Sequence, residues 1–165
     1  MDVAAVPFTL RPAGDADLGF LQRLYASTRA EEVALTGWPV AEQQAFLRMQ
    51  FEAQHRHYHA HYPDAEYAVV CRDGQDVGRW YLHRGRDAMI VMDIALLPEW
   101  RGRGIGRALM RNAIAESERS ATPLGLHVEH HNPARDWYGR LGFVPVEEAG
   151  PYLRMQRPVR AAAPA

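Results

Sequence analysis

The chain has no lysine: all 19 of its Lys-plus-Arg positions are arginines. A phosphate loop of the G-x-x-x-x-G-K-S/T kind is therefore excluded, because the lysine that reaches the phosphates is missing. Cysteine is nearly absent too. Cys71 stands alone, so no internal disulfide can form and the chain suits a reducing compartment, with a cytoplasmic location as the expectation. No apolar run approaches the roughly 20 residues that cross a bilayer, and Met1 to Leu10 lacks the basic start of a secretory leader. Excess charge is lacking as well. A net charge of -1 gives no bulk attraction to nucleic acid or an anionic membrane, so neither is expected as a partner.

What is present is an ordinary globular composition, 47% hydrophobic and 24% charged over 165 residues, enough for one domain with a real core. We expect a single domain over 1–158 and a frayed tail over 159–165. Pattern and punctuation predict a strand at Phe8–Arg11, a helix capped by Asp15 and running to Thr28, and an irregular stretch from Arg29 to Pro39. A second helix is expected over Ala41–Ala60, then strands at Glu66–Arg72 and Val77–Arg84 around the Asp73-Gly74 turn signal. The apolar run Met89–Leu97 reads as a strand buried on both faces. A helix to about Arg119, a strand at Leu124–Glu129, a short helix over Pro133–Leu141 and strands at Phe143–Val146 and Tyr152–Gln156 complete an α/β layout, with helices flanking a mixed sheet.

The most informative stretch is Pro98-Glu99-Trp100-Arg101-Gly102-Arg103-Gly104-Ile105-Gly106-Arg107. A strand, a proline exit, a glycine-rich turn and a helix start follow one another there. Helix N-termini carry unpartnered N–H groups and a positive dipole end, and so take anions, phosphate above all. Glycines let backbone approach a ligand, and arginines add bidentate phosphate donors. The stretch reads as a pyrophosphate cradle.

Arg101-Gly102-Arg103-Gly104-Ile105-Gly106 resembles the acyl-CoA signature R/Q-x-x-G-x-G/A of the GNAT superfamily of N-acyltransferases. Downstream, Leu126-His127-Val128 with Asn132, then Ala134, Tyr138 and Gly142-Phe143, resembles the second GNAT signature, with the loop between Asn132 and Ala134 one residue shorter than is common. The resemblance covers almost the whole chain. It implies a central mixed, mostly antiparallel sheet, splayed at an acyl-CoA site and flanked by about four helices. It also implies an acetyl-CoA-dependent N-acetyltransferase working by direct transfer to a primary amine, in a small molecule or at a peptide N-terminus, and it allows a homodimer.

Residue by residue, the resemblance assigns Ile94, Ala95 and Leu96 to the pantetheine arm, with the Leu96 N–H polarising the thioester carbonyl. It assigns Arg101, Gly102, Arg103, Gly104, Ile105, Gly106 and Arg107 to the pyrophosphate, Asn132 to the cofactor arm, and Tyr138 to the cofactor and to the role of general acid. The alternative for Tyr138 is a core aromatic. Ribosomal-protein N-terminal acetyltransferases carry a glutamate where this chain has His127; an imidazole can serve as base, and the alternative is a histidine bonded on a strand face. Other relatives carry a catalytic glutamate at the position of Ile90, so that route is absent; Asp93 and Glu129 are the fallback bases. For the acceptor amine the candidates are Glu31, Glu32, Trp38, Tyr58 and Asp93. His55, His57, His59 and His61 pair at i,i+4 on two helix faces; the Glu of H-E-x-x-H and a third ligand are missing, so no metal is expected. Two rivals remain: a non-catalytic acyl-CoA sensor, and a metal-dependent hydrolase built on those histidines.

Overall fold

The computed structural model describes residues 7–159. Its strands are β1 (Thr9–Pro12), β2 (Glu66–Arg72), β3 (Gln75–Arg84), β4 (Met89–Leu96), β5 (Leu124–Glu129), β6 (Val144–Ala149) and β7 (Tyr152–Arg157). Its α-helices are α1 (Leu18–Ala34), α2 (Val40–His61), α3 (Ile105–Ser120) and α4 (Ala134–Arg140). The seven strands follow the order β1-β2-β3-β4-β5-β7-β6, with β4 and β5 parallel and the pairs β1–β2, β5–β7 and β6–β7 antiparallel. Two compact units share this chain. One takes the residues up to 81 and 93–107, the other 82–92 and the residues from 108 onward. Of the expected tail, residues 160–165 lie outside the described residues.

In the first unit, α1 and α2 bury one apolar stripe each. Leu21, Leu24 and Tyr25 meet Leu47 and Phe51 over Val69 of β2, the contact spacing that amphipathic helices impose. The chain enters α1 through a short 3₁₀ turn at Asp15–Asp17. The expected cap at Asp15 is not made. Asp17 braces the entry instead: its Oδ2 accepts the Gly14 N–H at 2.8 Å, and its Oδ1 holds Arg11 Nη2 at 2.7 Å. Arg11 Nη2 also reaches Asp76 Oδ1 at 3.0 Å, so one guanidinium ties β1 to the α1 entry and to β3.

A second correction concerns the stretch from Arg29. Arg29 to Ala34 continues α1, because those residues carry no breaker and Val33 finds a buried place in the core; the chain turns only at Gly37, with φ +69°. Gly78 of β3 serves close approach. A Cβ there would collide with the Ala95 carbonyl oxygen and sit 2.6 Å from Leu96 Cδ2, so glycine lets β3 lie against the end of β4.

The four helical histidines fall in two pairs, as the i,i+4 spacing requires. Ring centroids are 4.4 Å apart for His55–His59 and 4.2 Å for His57–His61. His59 stacks on Tyr67 at 4.1 Å and 18°, and Tyr67 in turn meets the edge of Tyr81 at 4.9 Å. His59 thus packs between α2 and β2, whereas His57 and His61 are exposed and meet each other along α2.

In the second unit, Met89–Val91 of β4 pair in parallel with Leu124–Leu126 of β5. That ladder ends after three pairs, although both strands run further. β5 then pairs along its full length with β7. Leu109, Met110, Ala113, Leu124, Leu126, Phe143 and Met155 form the buried side. Arg157 closes the other end, donating from Nε to the Leu141 carbonyl at 2.9 Å and from Nη1 to Glu118 at 2.8 Å.

Burial, then the neighbouring His59 and Arg79, push His55 below the ordinary histidine value of 6.5. The folded chain therefore binds fewer protons there than the unfolded chain. His55's contribution is complete above about 6.5 and is lost as pH falls from there toward the folded-state value. Urea unfolding at pH 7.5 and 5.5 is expected to show lower stability at the acid end. His55→Phe should reduce that difference, and an unchanged difference would remove His55 as a source.

Candidate functional site

The cradle belongs wholly to the first unit. A 3₁₀ turn at Pro98–Trp100 ends the β4 segment, and Ile105, fully buried, fixes the first turn of α3. Between them Gly102 and Gly104 take φ +72° and +86°, conformations in which a side chain is strained. A Cβ on Gly102 would meet open space, so its glycine answers to backbone conformation and leaves the concave side clear. Arg101 donates from Nε to the Leu96 carbonyl at 3.0 Å. The Arg103 guanidinium sits 4.7 Å above the Trp100 ring, a cation–π contact that stores the charge beside the turn. Arg101, Arg103 and Arg107 are all exposed. A helix start, two glycines in the left-handed region and three exposed arginines fit a diphosphate.

A second cluster in the same unit was not legible as a cluster from the sequence. Arg79, buried within β3, donates from Nη2 to Asp93 Oδ2 at 2.5 Å and to Gln54 Oε1 at 2.9 Å. The Tyr58 hydroxyl donates to the same Asp93 oxygen at 3.4 Å, and the guanidinium lies 4.9 Å from the Tyr81 ring centroid. The Arg79 side chain is 4% exposed and that of Asp93 16%. Arg79 Nε, also buried, has no hydrogen-bond partner among the described residues. The signal available was one charge of each sign inside two apolar strands, Val77–Leu82 and Met89–Leu97. Gln54 and Tyr81 gave no signal.

Of the five acceptor candidates, the structure brings Tyr58 and Asp93 together and places Glu31, Glu32 and Trp38 elsewhere. The last three are exposed around the α1–α2 turn. Glu32 pairs with Arg29 at 3.3 Å. Trp38 packs edge-on against Phe46 at 5.4 Å and accepts Gln43 Nε2 on its carbonyl at 2.7 Å. The rise along α2 from Val40 to Tyr58 is roughly 27 Å.

In the second unit, Asn132 Oδ1 accepts the Ala134 N–H at 2.9 Å, a local turn that starts α4 and leaves the amide Nδ2 as the side chain's donor. Tyr138 on α4 is 9% exposed, with its ring against Trp137 at 5.2 Å and edge-on to Phe143 at 6.0 Å. His127 is exposed on β5, and Glu129, two residues on, is half-buried. Desolvation, and then the charge of Arg154, lower the proton affinity of His127 below the ordinary value, with Glu147 opposing. Among the described residues no group of three His, Cys, Asp or Glu could hold a metal ion, and no helix is long and apolar enough to cross a membrane.

Comparison with known proteins gives three findings. The family model of the acetyltransferase (GNAT) domain matches residues 63–145. A Bacillus subtilis protein named as a putative ribosomal protein bS18-alanine N-acetyltransferase is 34% identical over 85 residues, covering 50% of this chain and 56% of the relative. This chain thus matches little more than half the length of that protein. Among solved structures, the PaiA N-acetyltransferase of Thermoplasma acidophilum in complex with coenzyme A superposes with a TM-score of 0.68 at 15% identity, covering 92% of this chain and 99% of that one. A Corynebacterium glutamicum structure described as histone acetyltransferase HPA2 and related acetyltransferase gives 0.66 at 23%, covering 94% and 98%. Both establish a shared fold.

Breaking a buried pair leaves an uncompensated charge at a cost of roughly 3–5 kcal/mol, whereas replacing both partners with apolar groups is often neutral or stabilising. Arg79→Met alone should therefore unfold at markedly lower urea. The double change Arg79→Met with Asp93→Leu should recover most of that loss. Equal destabilisation of the single and double variants would show that Asp93 is not left stranded.

Proposed function

The chain belongs to the acetyltransferase (GNAT) family, and on that premise we propose that it is an acyltransferase that moves an acetyl group from acetyl-CoA to a primary amine by direct transfer. The observation that carries this reading is the turn ahead of α3, where Gly102 and Gly104 hold positive φ beside three exposed arginines. Acetyl-CoA supplies an acetyl group already activated as a thioester. Arg101, Arg103 and Arg107, with the N–H groups around Gly102, Gly104, Ile105 and Gly106, bind its diphosphate. Ile94, Ala95 and Leu96 offer backbone to its arm, and the Leu96 N–H stabilises negative charge as it develops on the carbonyl oxygen.

The acceptor must lose a proton to become nucleophilic. His127, whose proton affinity is lowered, is uncharged at neutral pH and able to take that proton. Asp93 and Glu129 are the fallback bases. The departing sulfur must gain a proton, and the Tyr138 hydroxyl is assigned to supply it. Asn132 keeps its Nδ2 donors for the cofactor arm. For the acceptor we favour the Tyr58–Asp93 side, where a carboxylate and an aromatic ring meet, with Glu31, Glu32 and Trp38 as a separate exposed patch. Both small amines and peptide N-termini belong in the acceptor screen, the latter because the Bacillus relative is named for a ribosomal-protein alanine. A homodimer and a cytoplasmic location complete the proposal.

One observation favours the rival reading, an acyl-CoA-binding module without turnover: Tyr138 packs as a core aromatic against Phe143. Tyr138→Phe keeps that packing and removes only the hydroxyl. The expected result is a loss of 10²-fold or more in kcat, the order general acid catalysis supplies, with acetyl-CoA binding retained. Unchanged turnover would return Tyr138 to the core.

Binding itself is tested by thermal shift. A ligand of the folded state alone stabilises by about 2.7 kcal/mol at a hundredfold excess over Kd, so acetyl-CoA should raise the wild-type Tm saturably. Arg101→Ala with Arg107→Ala should weaken that rise without the backbone strain that replacing Gly104 would add. No rise in the wild type would overturn the acyl-CoA reading.

A further inference from the structure

One face of the β5–β7–β6 ladder carries a row of charge beside His127. Along β5, Leu124, Leu126 and Val128 are buried while His127 is exposed, so His127 stands on the other side of the sheet. The register places His127 opposite Arg154 and Arg154 opposite Glu147. Antiparallel partners share a face, with Cβ atoms about 5 Å apart. Imidazole, guanidinium and carboxylate therefore lie side by side across three strands. Arg154 Nε and Glu147 Oε2 are 3.3 Å apart, with side chains 41% and 62% exposed.

The same register sets Glu129 opposite Tyr152 and Tyr152 opposite Ala149. Glu148 registers with Leu153 and belongs to the other face. On the far side of β5, registered pairing with β4 stops at Leu126, and His130 and His131 follow the end of the strand. Among the described residues, the charged and titratable groups that the register of β5, β7 and β6 sets on the face of His127 are Arg154, Glu147, Glu129 and Tyr152, and of these Arg154 is the fixed cation.

We propose that Arg154, with Glu147 as its counter-charge, is a positioning residue for proton transfer: its guanidinium, directly across from His127, disfavours the imidazolium and keeps the imidazole open to a proton. Arg154 cannot give up its charge, so its repulsion is constant across the working pH range. Glu147 opposes it twice, by drawing the guanidinium toward β6 and by its own negative charge. In the step itself one N–H bond of the acceptor ammonium breaks, its electron pair stays on the amine nitrogen, and the proton joins an imidazole nitrogen. The imidazolium later returns that proton to water. His127 is shifted downward first by desolvation and then by Arg154, with Glu147 raising it, and the signs of the two charges agree with the geometry. The proposal rests on His127 as the base, and the test separates the two.

The decisive feature is opposite sign. The His127 ring is titrated by NMR in the wild type, Arg154→Gln, Arg154→Lys and Glu147→Gln, and the pH–rate profile of acetyl transfer is measured on the same proteins. At about 6 Å in a water-like medium one charge moves a titration midpoint by roughly half a pH unit. Arg154→Gln should raise the midpoint by about that much and Glu147→Gln should lower it. Arg154→Lys should restore the wild-type value, and 1 M salt should shrink both shifts, because the Debye length falls to about 3 Å. Midpoints that stay put, or move in the same direction in both Gln variants, overturn the charge row whatever the rates do. Midpoints that move as expected while the acid limb of the rate profile stays fixed leave the charge row standing and remove His127 as the base.

Discussion

The Arg79–Asp93 pair fixes the part of the molecule on which the proposed chemistry depends most. Asp93 immediately precedes the Ile94–Leu96 backbone, and its carboxylate is held from β3 by Arg79 and from α2 by Tyr58. Gln54, also on α2, shares the same guanidinium nitrogen. One charge pair therefore sets how α2, β3 and the end of β4 lie together. Apolar packing alone would allow those elements to slide, because methyl groups lack direction. A guanidinium with a carboxylate and an amide as partners does not. Gly78 works to the same end by omission, removing the side chain that would hold Ala95 and Leu96 away from β3.

This arrangement separates two kinds of polar group. Arg79 and Asp93 are mostly withdrawn from water and answer each other. The His127, Arg154 and Glu147 row is open to solvent, where charges are screened and their influence on one another is graded. A buried pair suits holding a backbone in place. An open row suits adjusting a proton equilibrium by small steps, and a base for amine chemistry near neutrality requires that adjustment.

Much of the fold could be read from the chain because its signals are local. β2 and β5 fall on the residues that alternation and turn chemistry indicate, and the glycine–arginine stretch announces its own conformation, since only glycine takes φ +86° without strain. The losses come from interactions between residues far apart in sequence. At the entry to α1, Asp17 and not the expected Asp15 accepts the Gly14 N–H, and its other partner, Arg11, comes from β1. The last turns of α1 depend on a core that accepts Val33. Arg79 looks like a misplaced charge until Asp93 is found opposite it. Trp38 and Tyr58 both read as aromatic walls, and only the length of α2 shows that they cannot line one pocket. Asn132 reads as a cofactor-arm residue through the resemblance, while the use of its oxygen to accept the Ala134 N–H shows only in the folded turn.

The cradle has one further chemical property. Each of its cations is a guanidinium, which stays protonated and is a poor nucleophile, and no ε-amino group exists anywhere in the chain. A protein that handles an activated acyl group beside lysines offers that group an internal target. Under the proposed reading, the side chains that would attract the donor cannot accept its cargo, so the charge for binding comes without a site on the cradle for the acyl group to modify.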